Sequence, residues 1–589
     1  MNEIVFNAPQ SSTKVFLKMK KPLSFFDTYF IKFCWHLFKL LLIVLYSVAI
    51  TSTLLGLLGI FQLWTAVLGS VGLVVFLYFL KGKTNNLIRS NPVEGLDPDQ
   101  IRNRSLLSLV GVIATVLLLV LILVPIWNWP MSTMQHSIHH DAGIYHFPKA
   151  VEMWKTGSAW DFTISYGEYP FGYESLLSFT MLFSRNVGMW SVPNILIMLL
   201  MILGTWLVAI RYTRMPAGIT LAGVVFLGLS GFLEIGNPWY FLRFIIYTIG
   251  KNDLFLAAAT MAAVVFVPLP TDPDSSTDWV GLGISSGLAI SIKPNCIPIL
   301  LLLWLYAIIT SIIRKDSLWP ALPGILLAVL GTGWVIRNYI GIGQLFLSDS
   351  LHVIRDSIWF NLTNPEFLRQ FPTSLLFSIL MVFVILLGSF WKKTRLSLID
   401  ALLLFVILIS FMITPVSVVR AHDPSAIGWR FGITLLFLQF VYLLAVLEPI
   451  TKLILDWITK SWFFSWVAAV LLLGTSILFF DMQKDILKVL PARANILVSS
   501  YQDDQADYPS VFEYLDEHIS HSTVWVEGDL NFYGYDPAFT NSTTRSKRAD
   551  YIVVVDLSLD DLWFDSTKWD LIYQDAQGYI FRNPALGSN

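Results

Sequence analysis

The 589-residue chain is 55% hydrophobic and only 14% charged, whereas about a quarter of the residues in an average soluble domain are charged. Apolar runs of roughly 18–22 residues recur along it, each long enough to cross about 30 Å of hydrocarbon as a helix. The net charge of −2 does not indicate a nucleic-acid partner, and Cys34 and Cys296 lie in apolar segments, which argues against a disulfide framework. The composition is that of a polytopic integral membrane protein.

The chain begins with a polar, basic stretch that has no signal-peptide cleavage site, so residues 1–37 are predicted to be a cytoplasmic tail. Two spans and a cytoplasmic loop are predicted over 38–105, and a transmembrane domain over 106–480. Hydropathy predicts about thirteen spans in all: 38–58, 62–80, 106–127, 188–210, 217–234, 252–268, 279–292, 296–313, 318–336, 372–391, 397–415, 431–448 and 463–480.

Basic residues near the span ends predict the orientation, because short cytoplasmic loops retain Lys and Arg. With the amino terminus inside, every strongly basic short loop falls on the cytoplasmic face. The acidic loop 269–278 is also predicted to be cytoplasmic, but acidic residues carry little topological weight. The outer face then receives a long loop, 128–187, the carboxy-terminal tail and three shorter loops, near 235–251, 337–371 and 416–430.

The first outer loop is long, polar and aromatic, whereas loops without a function are usually much shorter. Four of the nine histidines fall between residues 136 and 146, around Asp141. Helical spacing from Ile144 to Trp154 predicts an amphipathic helix lying in the membrane interface directly after Asp141. The alternative is a solvated loop whose aromatic residues belong to the interfacial belt.

The same loop permits a metal site. His136 and His140 are four residues apart and would share a helix face, as zinc ligands do. A divalent metal held by these histidines with Asp141 and Asp253 is therefore an alternative, although no cofactor is required. The Glu of a HExxH motif is absent, which argues against a metalloprotease.

Residues 481–589 are predicted to form a small extracytoplasmic α/β domain. Residues 509–520 have helical spacing, 522–526 and 550–555 are rich in β-forming residues, and Gln577-Gly578 is typical of a turn. No catalytic motif is present in it. Two glycosylation sequons on the predicted outer face begin at Asn361 and Asn541.

The segment HDAGIYHFPKAVEMWKTG resembles the first outer loop of the GT-C membrane glycosyltransferases. The group in question contains protein O-mannosyltransferases, lipid A aminoarabinose transferases and RgtA-to-D-like enzymes. Its members follow this loop with a YPPGY-like turn, and here the turn is YPFGY, with Phe171 in place of a second proline. Three further segments match in order, KNDL at 251–254, SIKP at 291–294 and WVIRN at 334–338, so the resemblance covers about residues 100–450.

This resemblance implies transfer of a sugar from a polyprenyl-phosphate donor to an acceptor hydroxyl at the outer leaflet, with inversion at the anomeric carbon. The phosphate is a good leaving group, so the site needs a base for the acceptor and cations for the phosphate. Asp141 is the predicted base, and Asp253 is expected to orient the acceptor, bind a metal or share the base role. The residues expected to bind the donor and acceptor are His140, Tyr145, His146, Lys149, Glu168, Tyr169, Tyr173, Lys251, Asn252, Lys293, Arg337, Asn338, Arg420, His422 and Arg430.

Some of these residues have structural alternatives. Lys293 lies in an apolar stretch, where a charge costs at least about 2.5–3.5 kcal/mol, and Pro294 is predicted to break the helix there. Lys293 would then point into a cavity, or it would extend to the outer interface. Arg337 and Asn338 would contact phosphate or act as a structural cap.

The expected partners are the bilayer, the lipid-linked sugar and an acceptor lipid, polysaccharide or protein. The predicted location is a bacterial inner membrane. A lipid or solute transporter is the alternative function, but transporters usually concentrate charge at the bilayer midplane within repeated, broken helices, and no repeat is visible. A noncatalytic scaffold that presents the tail domain is a third hypothesis, and it leaves the loop around Asp141 unexplained.

Overall fold

The structure is a computed structural model. It describes residues 25–80, 97–133, 142–230 (except 165 and 185–186), 251–268, 276–345, 363, 372–390, 396–413 and 432–484. It also describes 510–585, except 528–530, 537, 545, 547, 556–561, 563 and 577.

The chain is mostly helical. Its longer helices are α1 Phe25–Leu57, α2 Leu63–Leu80, α3 Pro98–Thr133, α4 Phe147–Thr156, α5 Gly172–Met181, α6 Ser191–Tyr212, α7 Ala217–Ser230, α8 Asp253–Phe266 and α9 Trp279–Ile292. They continue with α10 Ile297–Ile313, α11 Ala321–Leu330, α12 Gly333–Ile342, α13 Pro372–Ser389, α14 Leu398–Ile413, α15 Ile433–Val446, α16 Glu448–Thr459, α17 Trp462–Gln483 and α18 Ser510–His518. The first helix begins well before the predicted span start at residue 38.

Within the described residues, six helices are long and apolar enough to cross a membrane, or up to eight if each of two bent pairs is one span. The bent pairs are α11–α12, at 41°, and α15–α16, at 62°. Five shorter apolar helices occupy the other predicted spans. Several spans are therefore consistent with a multi-pass membrane protein, whereas a total of about thirteen stays a prediction.

Close helix contacts are made through glycine. A Cβ on Gly218 of α7 would lie 1.9 Å from the Ser108 carbonyl oxygen of α3, and one on Gly283 of α9 would lie 2.2 Å from the Gly324 carbonyl oxygen of α11. Small residues let the backbones approach in this way, so van der Waals contact replaces a hydrophobic effect that lipid does not provide.

The carboxy-terminal residues form a five-stranded sheet. Its strands are β1 Thr523–Val526, β2 Ser542–Thr543, β3 Tyr551–Val555, β4 Asp570–Gln574 and β5 Gly578–Arg582, in the spatial order β2-β1-β3-β5-β4. β1 is parallel to β2 and β3, and β5 is antiparallel to β3 and β4. The predicted α18 and the strands β1 and β3 are confirmed, whereas Gln577 of the predicted turn lies outside the described residues.

The sequon at Asn541 is not an accessible glycosylation site. Asn541 is fully buried, and its Nδ2 donates a hydrogen bond to the Ile519 carbonyl oxygen at 3.0 Å. A glycan would have to attach to that nitrogen. The sequence pattern was misleading because Asn541 supports the fold of the domain, and Asn361 lies outside the described residues.

Candidate functional site

The helix predicted after Asp141 is present. A π-helical turn, Ala142–His146, leads into α4, which has Pro148 in its first turn and ends at Gly157. Gly157 has a φ of 70°, in the left-handed region that favours glycine, and its N–H donates to the Met153 carbonyl oxygen. The loop therefore presents a fixed helix directly after residue 141.

The amphipathic helix α4 buries polar residues as well as apolar ones. Its apolar residues Phe147 and Val151 are buried, but so are Lys149 and Glu152. Glu152 is buried because the carboxy-terminal domain covers it through Tyr535 and Thr543, and Lys149 is buried against Glu174 of α5. Amphipathic spacing predicted the helix but not what covers its polar side.

A buried carboxylate joins α4 to α5. Nδ1 of His146 lies 2.7 Å from Oε1 of Glu174, and Nζ of Lys149 lies 3.6 Å from the same oxygen. Lys149 Nζ also donates to the carbonyl oxygens of Tyr169 at 3.1 Å and Pro170 at 3.2 Å. We call Glu174, His146 and Lys149 the Glu174 cluster. The cluster fixes α4 against the YPFGY turn, residues 169–173.

Burial and pairing act in opposite directions on these charges. Burial raises the pKa of Glu174, but Lys149 and the hydrogen bond from His146 outweigh it, so this pKa lies below its ordinary value. Burial lowers the pKa of Lys149 to about 8, against the attraction of Glu174. Among the described residues, Oε2 of Glu174 is buried without a hydrogen-bond partner. This carboxylate can therefore accept one more hydrogen bond.

Aromatic rings surround the imidazole of His146. The ring of Tyr145 lies 4.1 Å from it, and the ring of Tyr173 meets it edge-on at 5.6 Å. Tyr145 also contacts the ring of Tyr169, at 5.8 Å, and the Tyr173 hydroxyl donates to Oδ1 of Asn194 at 3.1 Å. The predicted residues Tyr145 and Tyr173 thus pack against His146, and Tyr169 packs against Tyr145.

Arg337 and Asn338 contact the segment that joins α4 to α5. Arg337 is buried, and its guanidinium donates to the carbonyl oxygens of Ala159, at 3.0 Å, and Gly167. Asn338 Nδ2 donates to the Glu168 carbonyl oxygen at 2.7 Å. These contacts favour the structural-cap alternative, because the donors of Arg337 face carbonyl groups of the chain itself. Only the backbone of Glu168 takes part in this contact, and its side chain is half-buried.

A second charged pair lies at the ends of two apolar helices. Asp253 opens α8, and Lys293 follows the end of α9, where Pro294 begins a short 3₁₀ turn as predicted. Nζ of Lys293 donates to Oδ1 of Asp253. Lys293 therefore pairs with a carboxylate at the end of an apolar helix.

Lys251 and Asn252 are buried in the turn before Asp253. Within the described residues, Oδ1 of Asn252 is buried without a hydrogen-bond partner. Like Oε2 of Glu174, it is a polar atom that a bound group could satisfy.

The N-terminus of α5 connects the two charged groups. A Cβ on Gly172 would lie 2.3 Å from Oγ of Ser291, two residues before Lys293. The ring of Tyr173 lies 6.5 Å from that of Phe255, two residues after Asp253. Gly172 and Tyr173, beside Glu174, thus lie near the helix ends that carry Lys293 and Asp253.

Six predicted site residues lie outside the described residues: Asp141, His136, His140, Arg420, His422 and Arg430. The proposed base and the predicted histidine metal ligands are among them. Within the part of the chain that the structure describes, no group of three or more His, Cys, Asp or Glu residues is arranged to hold a metal.

Glu174 is the site residue that the sequence prediction missed. It is the only charged residue in α5, whose sequence is GYESLLSFTM. A charge in a mostly apolar helix is rarely buried without a partner, so this pattern was a usable signal. The pairing with His146 and Lys149, 28 and 25 residues earlier, was not readable, because nothing in the spacing brings α4 and α5 together.

Comparison with known proteins adds no family to this description. No family model matches the chain, and neither a curated protein nor a solved structure matches it.

Proposed function

We propose that the chain is a membrane glycosyltransferase of the GT-C type, which transfers a sugar from a polyprenyl phosphate to an acceptor hydroxyl. The observation that carries this proposal is the Glu174 cluster, which fixes the helix that begins one turn after Asp141. A general base needs such a fixed position, because small displacements at a reacting centre reduce the rate strongly.

The proposed step transfers one proton and forms one C–O bond as another breaks. The acceptor oxygen attacks the anomeric carbon with inversion while its proton passes to Asp141, and the bond from that carbon to the phosphate oxygen breaks. The polyprenyl phosphate leaves with the electron pair. Lys293, Arg420 and Arg430 are the proposed cations for the departing phosphate. The position of Lys293 beside Asp253, directly after the end of α9, supports this role.

The proposal includes the finer topology. About thirteen spans place the amino terminus in the cytoplasm and the carboxy-terminal domain outside, in a bacterial inner membrane. The positions of the five shorter apolar helices in the remaining predicted spans support it. The lipid-linked donor would then reach the site from the outer leaflet.

Substitution of the proposed base provides the test. Purified protein in lipid nanodiscs is given polyprenyl-phosphate sugars and candidate acceptors, and transfer by Asp141→Asn is compared with the wild type. We expect kcat to fall by about 10²–10⁴-fold, the usual contribution of a general base. The matched control is Asp99→Asn, an exposed carboxylate at the start of α3 that pairs with Arg102 at 3.2 Å. Undiminished transfer by Asp141→Asn would refute the assignment of the base.

A transporter without transferase activity is the alternative. The two bent helix pairs favour it, because transporters bind their substrates at broken helices. The breaks fall at residues 331–332 and at Leu447, however, and the buried pair Asp253–Lys293 belongs to neither. For this test the protein is reconstituted in lipid vesicles instead of nanodiscs. Movement of a labelled lipid across the vesicle membrane, with no sugar transfer by any form, would favour this alternative.

A further inference from the structure

The carboxy-terminal domain contacts α4 on the face that points away from α5. Oε1 of Glu152 accepts hydrogen bonds from the Tyr535 hydroxyl at 2.9 Å and from the Thr543 N–H at 3.3 Å. Its Oε2 accepts from Oγ of Ser542 at 3.3 Å. One turn further, Nζ of Lys155 donates to Oγ of Ser542 at 2.7 Å. Both charged residues of this face therefore have partners in the sheet domain.

Aromatic packing surrounds these polar contacts. The ring of Phe532 lies 5.2 Å from that of Phe147, in the first turn of α4, and 6.0 Å from that of Trp190. The ring of Phe539 meets Trp154, near the end of α4, at 6.2 Å. The domain thus contacts α4 along its whole length, with the hydrogen bonds of Glu152 between two aromatic contacts.

The contact is desolvated like a protein interior. Glu152 is only 4% exposed, and Tyr535 is also buried. Burial raises the pKa of Glu152, against the attraction of Lys155. A buried carboxylate is retained only where several donors hold it, so removing one partner leaves the others unsatisfied. A domain that was merely tethered to the membrane helices would not need such an arrangement.

We propose that the carboxy-terminal sheet domain is a positioning element for the candidate site, which clamps α4 through Glu152 and Lys155. With α4 held by the sheet domain, His146 and Lys149 stay on Glu174, and the turn at Ala142 stays fixed. Glu152 and Tyr535 are then positioning residues that act through the Glu174 cluster. The effect on catalysis rests on the proposed function, whereas the effect on α4 does not.

A double-mutant cycle on the full-length protein tests the clamp. Glu152→Gln keeps the side-chain volume, and Tyr535→Phe keeps the ring that packs near Phe532. The matched control is Asp570→Asn, which breaks a half-exposed pair with Arg582, at 3.1 Å, on the edge strand of the same domain. Amide hydrogen exchange of residues 147–156 is measured in nanodiscs without substrate, and kcat and KM are measured with donor and acceptor.

We expect exchange of the α4 amides to become at least tenfold faster in each clamp variant and to stay unchanged in the Asp570→Asn control. The effects of Glu152→Gln and Tyr535→Phe should be strongly non-additive, because the two groups share one hydrogen bond, while those of Glu152→Gln and Asp570→Asn should add. In transfer assays, kcat should fall at least tenfold while KM changes by less than about threefold.

The outcomes separate the clamp from the proposed function. Faster exchange of α4 with no transfer by any form would retain the clamp and reject the glycosyltransferase. Unchanged exchange in both clamp variants, or additive effects, would overturn the clamp whether or not the protein transfers sugars. If Glu152→Gln does not fold, Tyr535→Phe alone decides, because it removes a single hydroxyl from the contact.

Discussion

Two short amphipathic helices, α4 and α16, have opposite environments. α4 buries its charged residues Lys149 and Glu152 between α5 and the sheet domain. α16 buries only one side, where Asn103 Nδ2 donates to the Thr459 carbonyl oxygen at 2.9 Å, and it exposes Ile450, Leu453, Ile454 and Trp457. An amphipathic sequence thus predicts a helix with two faces, whereas the neighbouring elements decide which face is covered.

The difference has a physical reason. A buried charge is costly unless it is paired, so the polar face of α4 requires specific partners at fixed positions. An exposed apolar face needs only a surrounding of low polarity, which a bilayer surface provides without specific contacts. Substitutions in α4 should therefore affect the structure more than matched substitutions in α16.

The largest difference in stability is expected between Glu174, the α5 carboxylate that binds α4, and Glu448, the carboxylate at the start of α16. Glu174→Ala leaves Lys149 and His146 buried without their shared partner and should cost about 3–5 kcal/mol of unfolding free energy. Glu448→Ala in α16 removes a pair with Arg214 at 3.6 Å, in which the Arg214 side chain is 46% exposed, and should cost less than about 1 kcal/mol. Thermal unfolding in detergent measures both. Equal losses would contradict the contrast between the regions.

A pH dependence should follow from Lys149. Its folded pKa of about 8 lies below the ordinary value of 10.5, so the unfolded chain binds more protons between these values. Stability therefore rises with pH from about 8 to 10.5, and below about 8 the full cost of the buried ammonium is present. Lys149→Met should abolish this rise, which is measured as the difference between the two unfolding profiles. A wild-type profile parallel to that of the variant would refute the assignment.

A smaller effect is expected where α4 ends. Gly157→Ala places a side chain in the left-handed region and brings its Cβ to 3.1 Å from the Phe61 carbonyl oxygen. Gly343→Ala, at the end of α12, has a similar φ of +73° but meets nothing within 4 Å. The control should lose about 1–2 kcal/mol from backbone strain alone, and Gly157→Ala should lose more. A larger loss at Gly343 would show that contact with the α1–α2 turn does not matter.

The smallest expected effect on stability concerns α16. Ile454→Cys and Lys452→Cys each place a spin label at an exposed position, on nearly opposite sides of the helix, and both native cysteines are buried. In nanodiscs, the label at 454 should collide more with oxygen and the one at 452 more with a water-soluble nickel chelate. Both variants should unfold as the wild type does. Equal accessibility of both labels to nickel would show that α16 does not lie at the bilayer surface.

Much of the fold was predictable because long apolar runs have few alternatives to membrane helices. The helix after Asp141, the break at Pro294 and the strands β1 and β3 followed from spacing and residue type. The number of spans did not, since five apolar helices are short and two pairs are bent. The sequence also left the role of Arg337 open, because an arginine side chain can either cap backbone carbonyl groups or bind a phosphate.

The sequence by itself predicted a mostly helical chain with apolar helices consistent with a multi-pass membrane protein, a small α/β domain, and a helix after Asp141. These conclusions rest on hydropathy and local periodicity, which act within one segment. Only the tertiary structure joined His146 and Lys149 to Glu174, Lys293 to Asp253, and Glu152 to Tyr535. Each of these pairs links segments that are distant in the sequence. A buried charge requires a partner, but the sequence does not indicate which residue that partner is.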